Sequence, residues 1–448
     1  MMPGTRVLKP SRSIRPNRKV AMGDKARLRQ LALWFAILLL PCVLLARRFP
    51  LFIQPSFGGV AVWQALPVLS LIPILVALHS LFADPTGVRR VLRLPGAWVV
   101  FACLGADLFV YILSAWKAHS APLGVDLVMR VIPSTAAILI GVFMWKSRPA
   151  ALHGLVATSV ISSAIAGIFQ MSQRAGLDTL PGRWLLAWDT AQLSELAMNY
   201  SRVQGFETNP NMYSPMAAVG ILWALFGMPR GPLRSATIAA SVVISVLSQS
   251  RTTMLVILGL MAVSAVGEWS GRSPVHLRKH VLLLATIVGA LAVGLIAVRF
   301  GPVALTPAGP VSQNAAINTS QPADIGRLDA MRASVDAIAK NPWGYFERSH
   351  EITAPLWHPH NEALYRTLYA GPLWLAAHAV FLLWLALWLK SKRYPWTGVA
   401  IAVALFINGF TEPLYPMYPY LILLYLIIGA MMWTKSAEQT VPLCESSD

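Results

Sequence analysis

"LWHPHNEALYRTLYAGPLWLAAHAVFLLWLALWLKSKRYP", residues 356–395, shows in one stretch what most of the chain repeats. Its middle, 368–389, is an apolar run long enough to cross a bilayer as helix, for which about 20 residues suffice. Lys390, Lys392 and Arg393 close one end, and two histidines separated by a proline open the other. Titratable groups are costly beside lipid unless they carry out a task. The stretch therefore predicts a membrane-spanning helix with chemistry at its mouth.

Working outward, 56% of the 448 residues are hydrophobic and only 12% are charged. A soluble protein of this size has roughly twice that charged fraction. The net charge of +18 is spread over short segments between apolar runs, so it does not imply nucleic acid. Cys42 and Cys103 lie in apolar runs and Cys444 in the polar tail, with no CxxC spacing, so neither a zinc site nor a disulfide framework is indicated.

The expected fold is an all-α polytopic membrane protein of about twelve transmembrane helices. The spans fall at 31–46, 60–82, 97–115, 131–145, 151–170, 212–228, 234–249, 252–267, 280–298, 368–389, 396–410 and 416–433. Residues 1–30, with nine Lys/Arg and no apolar core, read as a disordered cytoplasmic arm able to rest on anionic headgroups. Residues 31–298 carry spans one to nine and an outside loop at 171–211. A large outside loop follows at 299–366, then spans ten to twelve within 367–433, and a cytoplasmic tail at 434–448. With both termini cytoplasmic, 23 of the 37 basic residues lie inside, the bias that fixes topology. Arg47 and Arg48 fall outside, against that trend.

Within the large loop, "PADIGRLDAMRASVDAIAKNP" places Ile325, Leu328, Met331, Val335 and Ile338 at helical spacing, and Asn341-Pro342 ends the run. This predicts a surface helix lying against the membrane domain. Arg327 stands at the margin of its apolar face, either pointing into a groove or solvated.

Three further outside features carry polar residues. "SRVQGFETNPNMYSPMA" places Arg202 close to the membrane, and Asn209-Pro210-Asn211 runs into span six as a turn and helix start. "LSQSRTTML" sets Arg251 in a turn between two apolar helices, among Ser248, Ser250, Thr252 and Thr253. That arginine either snorkels to lipid phosphate or holds an anion. In the opening stretch the helix begins near Asn361, with His360 at or near the N-cap. There the helix dipole favours neutral imidazole, which suits a general base. A zinc reading would use His350, Glu351, His358 and His360, but Pro359 interrupts the HxH pair and no carboxylate cluster joins it. Outer-face arginines with one neutral histidine suit departure of a diphosphate, as from a polyprenyl-diphosphate-linked sugar.

"RVQGFETNPN", "SQSR", "GRLDAMRASVDAIAKNPWG" and "HPHN", in this order, resemble the O-antigen ligase/polymerase superfamily of bacterial inner membranes, over most of the chain. The family's ligase pattern is H-[NSQ], nine residues, then G-x-x-[GTY]. Here His360-Asn361 leads to Gly371, but Trp374 fills the last position, which leaves ligase and polymerase both open. The resemblance implies a GT-C-like membrane glycosyltransferase, multi-pass, with its active site facing the periplasm. His360 would be catalytic. Arg202, Arg251 and Arg327 would hold the diphosphate, with Asn209, Asn211, Asn361 and His358 in support.

The resemblance further implies inverting transfer without metal or other cofactor, by a monomer. The donor would be an undecaprenyl-diphosphate-linked glycan, the acceptor lipid A-core, and the surrounding partners membrane lipids. A twelve-span transporter or flippase is the other class. It would show repeat symmetry and interrupted helices at the midplane, whereas here the polar residues stand at span ends.

Overall fold

The computed structural model describes residues 85–117, 135–174, 213–269, 323–346, 361–391, 394–411 and 418–440, and also positions 177, 179, 180, 203, 286, 287 and 289. Among them every regular element is a helix. In chain order these are α1 Pro85–Leu92, α2 Ala97–Lys117, α3 Thr135–Ser147, α4 Pro149–Arg174, α5 Pro215–Phe226 and α6 Pro232–Ser248. They continue as α7 Arg251–Trp269, α8 Ala323–Lys340, α9 Glu362–Ala370, α10 Pro372–Trp388, α11 Thr397–Thr411 and α12 Tyr418–Thr440. Helices stand where nine of the twelve expected spans fall. The first two spans, most of the ninth, the N-terminal arm and residues 441–448 lie outside the described residues.

Three boundaries differ from expectation. The expected tenth span is divided, because Gly371 takes φ +82° and ends α9 before Pro372 opens α10. The expected tail is helical as far as Thr440, continuing α12. The arginine-bearing segment after the second expected span forms the short helix α1. Proline stands first in α1, α4, α5, α6 and α10, where its missing N–H has no partner to lose.

α5 lies at the centre. All ten residues from Pro215 to Ala224 are buried, and α4, α6, α7, α11 and α12 pack around it. A helix apolar on every side has no solvent face to keep. Glycines permit the closest approaches. A Cβ on Gly141 of α3 would overlap the Leu426 carbonyl of α12, and one on Gly429 of α12 would overlap the Ile138 carbonyl of α3. Small residues are what bring helix backbones together where lipid offers no hydrophobic drive. Hydroxyls inside the bundle turn back on their own helix, as in Thr237 to Leu233 O (2.8 Å), Ser241 to Thr237 O (2.7 Å) and Ser163 to Ser159 O (2.8 Å).

Outward faces are apolar too. α2 exposes Trp98, Phe109, Ile112 and Trp116, and α10 exposes Leu373, Val380, Leu383 and Leu387. α4 over Pro149–Ser172 and α12 over Tyr420–Glu438 are long and apolar enough to cross a membrane; seven shorter apolar helices accompany them.

Register sorts the helix ends. Gly259 of α7 meets Val403 and Ile407 of α11, while Gly267 meets Trp396, so these helices run antiparallel. Arg251 and Phe410 therefore share one end of the bundle. α2 and α10 are antiparallel as well, through Gly96 with Trp384, Cys103 with Ala377 and Asp107 with Trp374. At the opposite end Trp145 meets Tyr394 and Trp223, and Arg90 and Lys146 meet Trp433. That end gathers Arg89, Arg90, Arg93, Lys146, Arg148, Arg230, Arg234, Lys390 and Lys435.

Candidate functional site

The α6–α7 connection is as tight as the sequence predicts. Gln249 takes a left-handed conformation (φ 49°, ψ 35°) that ends α6, and Ser250 Oγ accepts from Thr253 N at 3.4 Å to open α7. Arg251 is the first residue of α7 and is exposed, while Ser250 and Thr253 beneath it are buried. A guanidinium at a helix N-terminus adds its charge to the positive end of the dipole, an arrangement that favours an anion. Thr253 Oγ1 is buried there with no hydrogen-bond partner among the described residues.

Val203 joins this turn from a distant part of the chain. It is fully buried, and its N–H donates to Leu247 O at 3.0 Å. Val203 is thereby fastened beside the "SQSR" turn. Farther along, Tyr213 OH donates to Ser163 O at 2.8 Å, fixing the chain as it enters α5. Arg202, Asn209 and Asn211 lie outside the described residues.

At α9 the helix cap is Asn361, not His360. Asn361 is extended (φ −152°, ψ 126°), and its Oδ1 accepts from Leu364 N at 3.0 Å. The reason is chemical: an amide oxygen one position before Glu362 satisfies an open helical N–H. His360 thus stands one residue before the cap; His350, Glu351, His358 and His360 lie outside the described residues. Asn361 has a second anchor, Nδ2 donating to Phe410 O at 3.0 Å. Because Phe410 lies at the Arg251 end of the bundle, Asn361 and Arg251 face the same side.

Behind the cap lies a charge network that the sequence reading did not identify. Arg366 donates from Nε to Glu362 Oε1 at 2.6 Å and from Nη1 to Asp107 Oδ1 at 2.8 Å. Trp374 Nε1 donates to the same Asp107 oxygen at 2.6 Å, and the Arg366 guanidinium lies 4.5 Å from the Trp374 ring centroid. Tyr111, Tyr365 and Tyr369 enclose the group. Burial by itself works against the guanidinium charge, but Asp107 and Glu362 more than offset it and push the Arg366 pKa up. Arg366 is therefore a tied structural cation. Two sequence signals pointed here: Asp107 is the one carboxylate in its apolar span, and Glu362 precedes Arg366 by one helical turn.

The expected surface helix exists as α8, but it is rotated. Among its described side chains Ala330, Ser334 and Ala337 are buried, whereas Val335, assigned to the apolar face, is exposed. Small side chains let α8 come close to α9, and close backbone approach outweighs the burial of one valine. The turn after α8 secures it. Gly344 (φ +94°) abuts Tyr369 and Ala370, and Gly371 abuts Pro342 and Trp343. Tyr345 N donates to Leu368 O at 2.8 Å, and Asn341 Nδ2 to Gly344 O at 2.9 Å. Arg327 belongs to the first turns of this helix.

No three His, Cys, Asp or Glu side chains converge as metal ligands among the described residues. No family model matches this chain, and no curated protein matches it.

Proposed function

We propose that the protein is a multi-pass membrane glycosyltransferase of the O-antigen ligase type. One observation carries the reading: the fold brings Val203, the Arg251 turn and the Asn361 cap to one end of the bundle, away from the basic end. Those are places beside which diphosphate-holding and proton-accepting residues were expected, and the outermost two, Val203 and Asn361, are 158 residues apart in the chain.

Membrane embedding is supported by the outward faces. Trp98 and Trp116 are each 69% exposed on α2, about 27 Å apart at 1.5 Å per residue, close to the roughly 30 Å hydrocarbon core. Tryptophans at both rims with apolar residues between them suit lipid contact. By the positive-inside rule the end bearing Arg89, Lys146, Arg230 and Lys390 faces the cytoplasm, and the Arg251 end faces the periplasm of a bacterial inner membrane.

In this reading the donor is a glycan on undecaprenyl diphosphate and the acceptor a hydroxyl of lipid A-core. His360 takes the hydroxyl proton, the oxygen attacks C1 of the first sugar from the face opposite the leaving group, and the C1–O bond to the diphosphate breaks. The diphosphate leaves with the bonding electrons, and Arg251, Arg202 and Arg327 neutralise it. Configuration at C1 inverts. A bidentate guanidinium matches two phosphate oxygens, and the α7 N-terminus adds backbone donors.

The polymerase reading uses the same chemistry with a second lipid-linked glycan as acceptor. The tryptophan at 374, where the ligase pattern has Gly, Thr or Tyr, keeps this reading open beside the ligase. A membrane assay separates the readings. Glycan appearing on core acceptor supports the ligase; longer glycan formed from donor alone supports the polymerase. Translocation of donor without any new glycosidic bond would sink both and leave the transporter.

A further inference from the structure

α9 is nine residues long, and isolated helices shorter than roughly 12 residues are marginal, so tertiary contacts must hold it in place. Both ends are pinned. At the first, Asn361 Nδ2 donates to Phe410 O of α11, and near the second Tyr345 N donates to Leu368 O. Pins at the two ends fix the axis of a helix and leave its rotation about that axis to lateral contacts.

The lateral contact is Arg366. It is buried, and its guanidinium uses two nitrogens, Nε toward Glu362 Oε1 and Nη1 toward Asp107 Oδ1 of α2. The same Asp107 oxygen accepts from Trp374 Nε1 of α10. α2 and α10 are also joined without α9, through Cys103 Sγ donating to Ala377 O at 3.0 Å. They form a frame, and the Asp107 oxygen is where Arg366 bonds to it. Glu362 follows Asn361 directly, so the tie reaches the helix cap through one peptide bond.

We propose that Arg366 and Asp107 are positioning residues of the transfer reaction: they set the rotation of α9, and with it the Asn361 cap to which His360 is bonded. This rests on the glycosyltransferase reading, in which His360 takes the acceptor proton. A general base must lie within about 3 Å of the group it deprotonates. Misplacement by about 1 Å, caused by a change far from the chemistry, can cost about 10²-fold in rate. The tie needs a fork. Lysine at 366 keeps the charge, but its single ammonium lacks the planar set of donors that serves Glu362 and Asp107 together. Asparagine at 107 keeps an acceptor oxygen, whereas alanine removes the oxygen on which three helices meet.

The test pairs two measurements on the full-length chain in detergent, below the melting midpoint of every variant. Hydrogen exchange followed by mass spectrometry reads α9 directly. In Arg366→Lys, amides of residues 364–370 should exchange faster than in the wild type, while those of α5 stay protected. Steady-state transfer reads the consequence. In the same variant kcat per folded molecule should fall by about ten- to a hundredfold, with the KM for lipid-linked donor unchanged. Asp107→Asn should keep more of kcat than Asp107→Ala. A purely structural role would lower the amount of folded protein and leave kcat per folded molecule at the wild-type value, which would overturn the proposal. Wild-type exchange at 364–370 in Arg366→Lys would overturn it as well. A wild-type chain that forms no glycosidic bond would overturn the glycosyltransferase reading and this proposal together, whereas full kcat in Arg366→Lys would overturn this proposal alone.

Discussion

Arg366 donates to Asp107 at 2.8 Å across 259 residues of chain, tying the helix that Asn361 caps to α2. Removing one partner of a buried, hydrogen-bonded charge pair leaves the other uncompensated, at a cost of about 3–5 kcal/mol. Arg366→Ala should therefore lower the thermal midpoint of the detergent-solubilised protein sharply. Asp107→Asn keeps an acceptor oxygen for Trp374 and should cost less. Trp374→Phe removes a single donor and should cost about 1 kcal/mol. Thermal melts of the three variants give the order directly. Equal midpoints for Arg366→Ala and Trp374→Phe would show that the network does not anchor α9.

Gly141 and Gly429 make the α3–α12 contact, each against the other helix's backbone. Gly429→Ala should destabilise, because neither the Ile138 carbonyl nor the α3 backbone can move aside as a flexible side chain would. Gly154→Ala is the control, since a Cβ there meets nothing within 4 Å, and the gain in helix propensity should be about 0.5–1 kcal/mol. The two variants should shift the thermal midpoint in opposite directions.

Arg251→Lys preserves charge at the start of α7 but loses the planar fork that bonds two phosphate oxygens together. Transfer should fall to a small fraction of the wild-type rate, with normal amounts of protein in the membrane. Arg202→Ala should behave alike. An Arg251→Lys enzyme that works at nearly the wild-type rate would make this arginine a headgroup anchor.

His360 and His358 separate by position. His360 immediately precedes the Asn361 cap, whereas His358 precedes Pro359, and a residue before proline is disfavoured from helical backbone. His360→Ala should lose about 10²–10⁴ in rate, the usual contribution of a general base, while lipid-linked donor still binds. His358→Ala should cost far less. The reverse order would move the base to His358.

EDTA should leave transfer unchanged if arginines and the helix terminus supply the positive charge at the diphosphate. Recovery of a chelated, inactive preparation by zinc or magnesium would instead assign the histidines to a metal.

Much of the architecture was legible because hydropathy and helical periodicity are local properties. The apolar run 212–228 predicts α5 and "SQSR" predicts a tight turn, and helix and turn stand there, whereas the cap expected at or near His360 is Asn361. Local sequence also marked Arg251 as a charge at a helix end. It was silent on partners. Whether Arg366 is exposed or tied depends on Asp107, 259 residues away along the chain, and on Trp374 of the next helix, and only packing of α2, α9 and α10 brings them together. The α8 face shows the same limit. Periodicity favoured Ile325, Leu328, Met331, Val335 and Ile338, but among the described side chains backbone proximity to α9 selected Ala330, Ser334 and Ala337 for full burial. Hydrophobicity along a helix states which residues avoid water, whereas the shape of the neighbouring helix settles which of them are covered, and shape exists only in the folded chain.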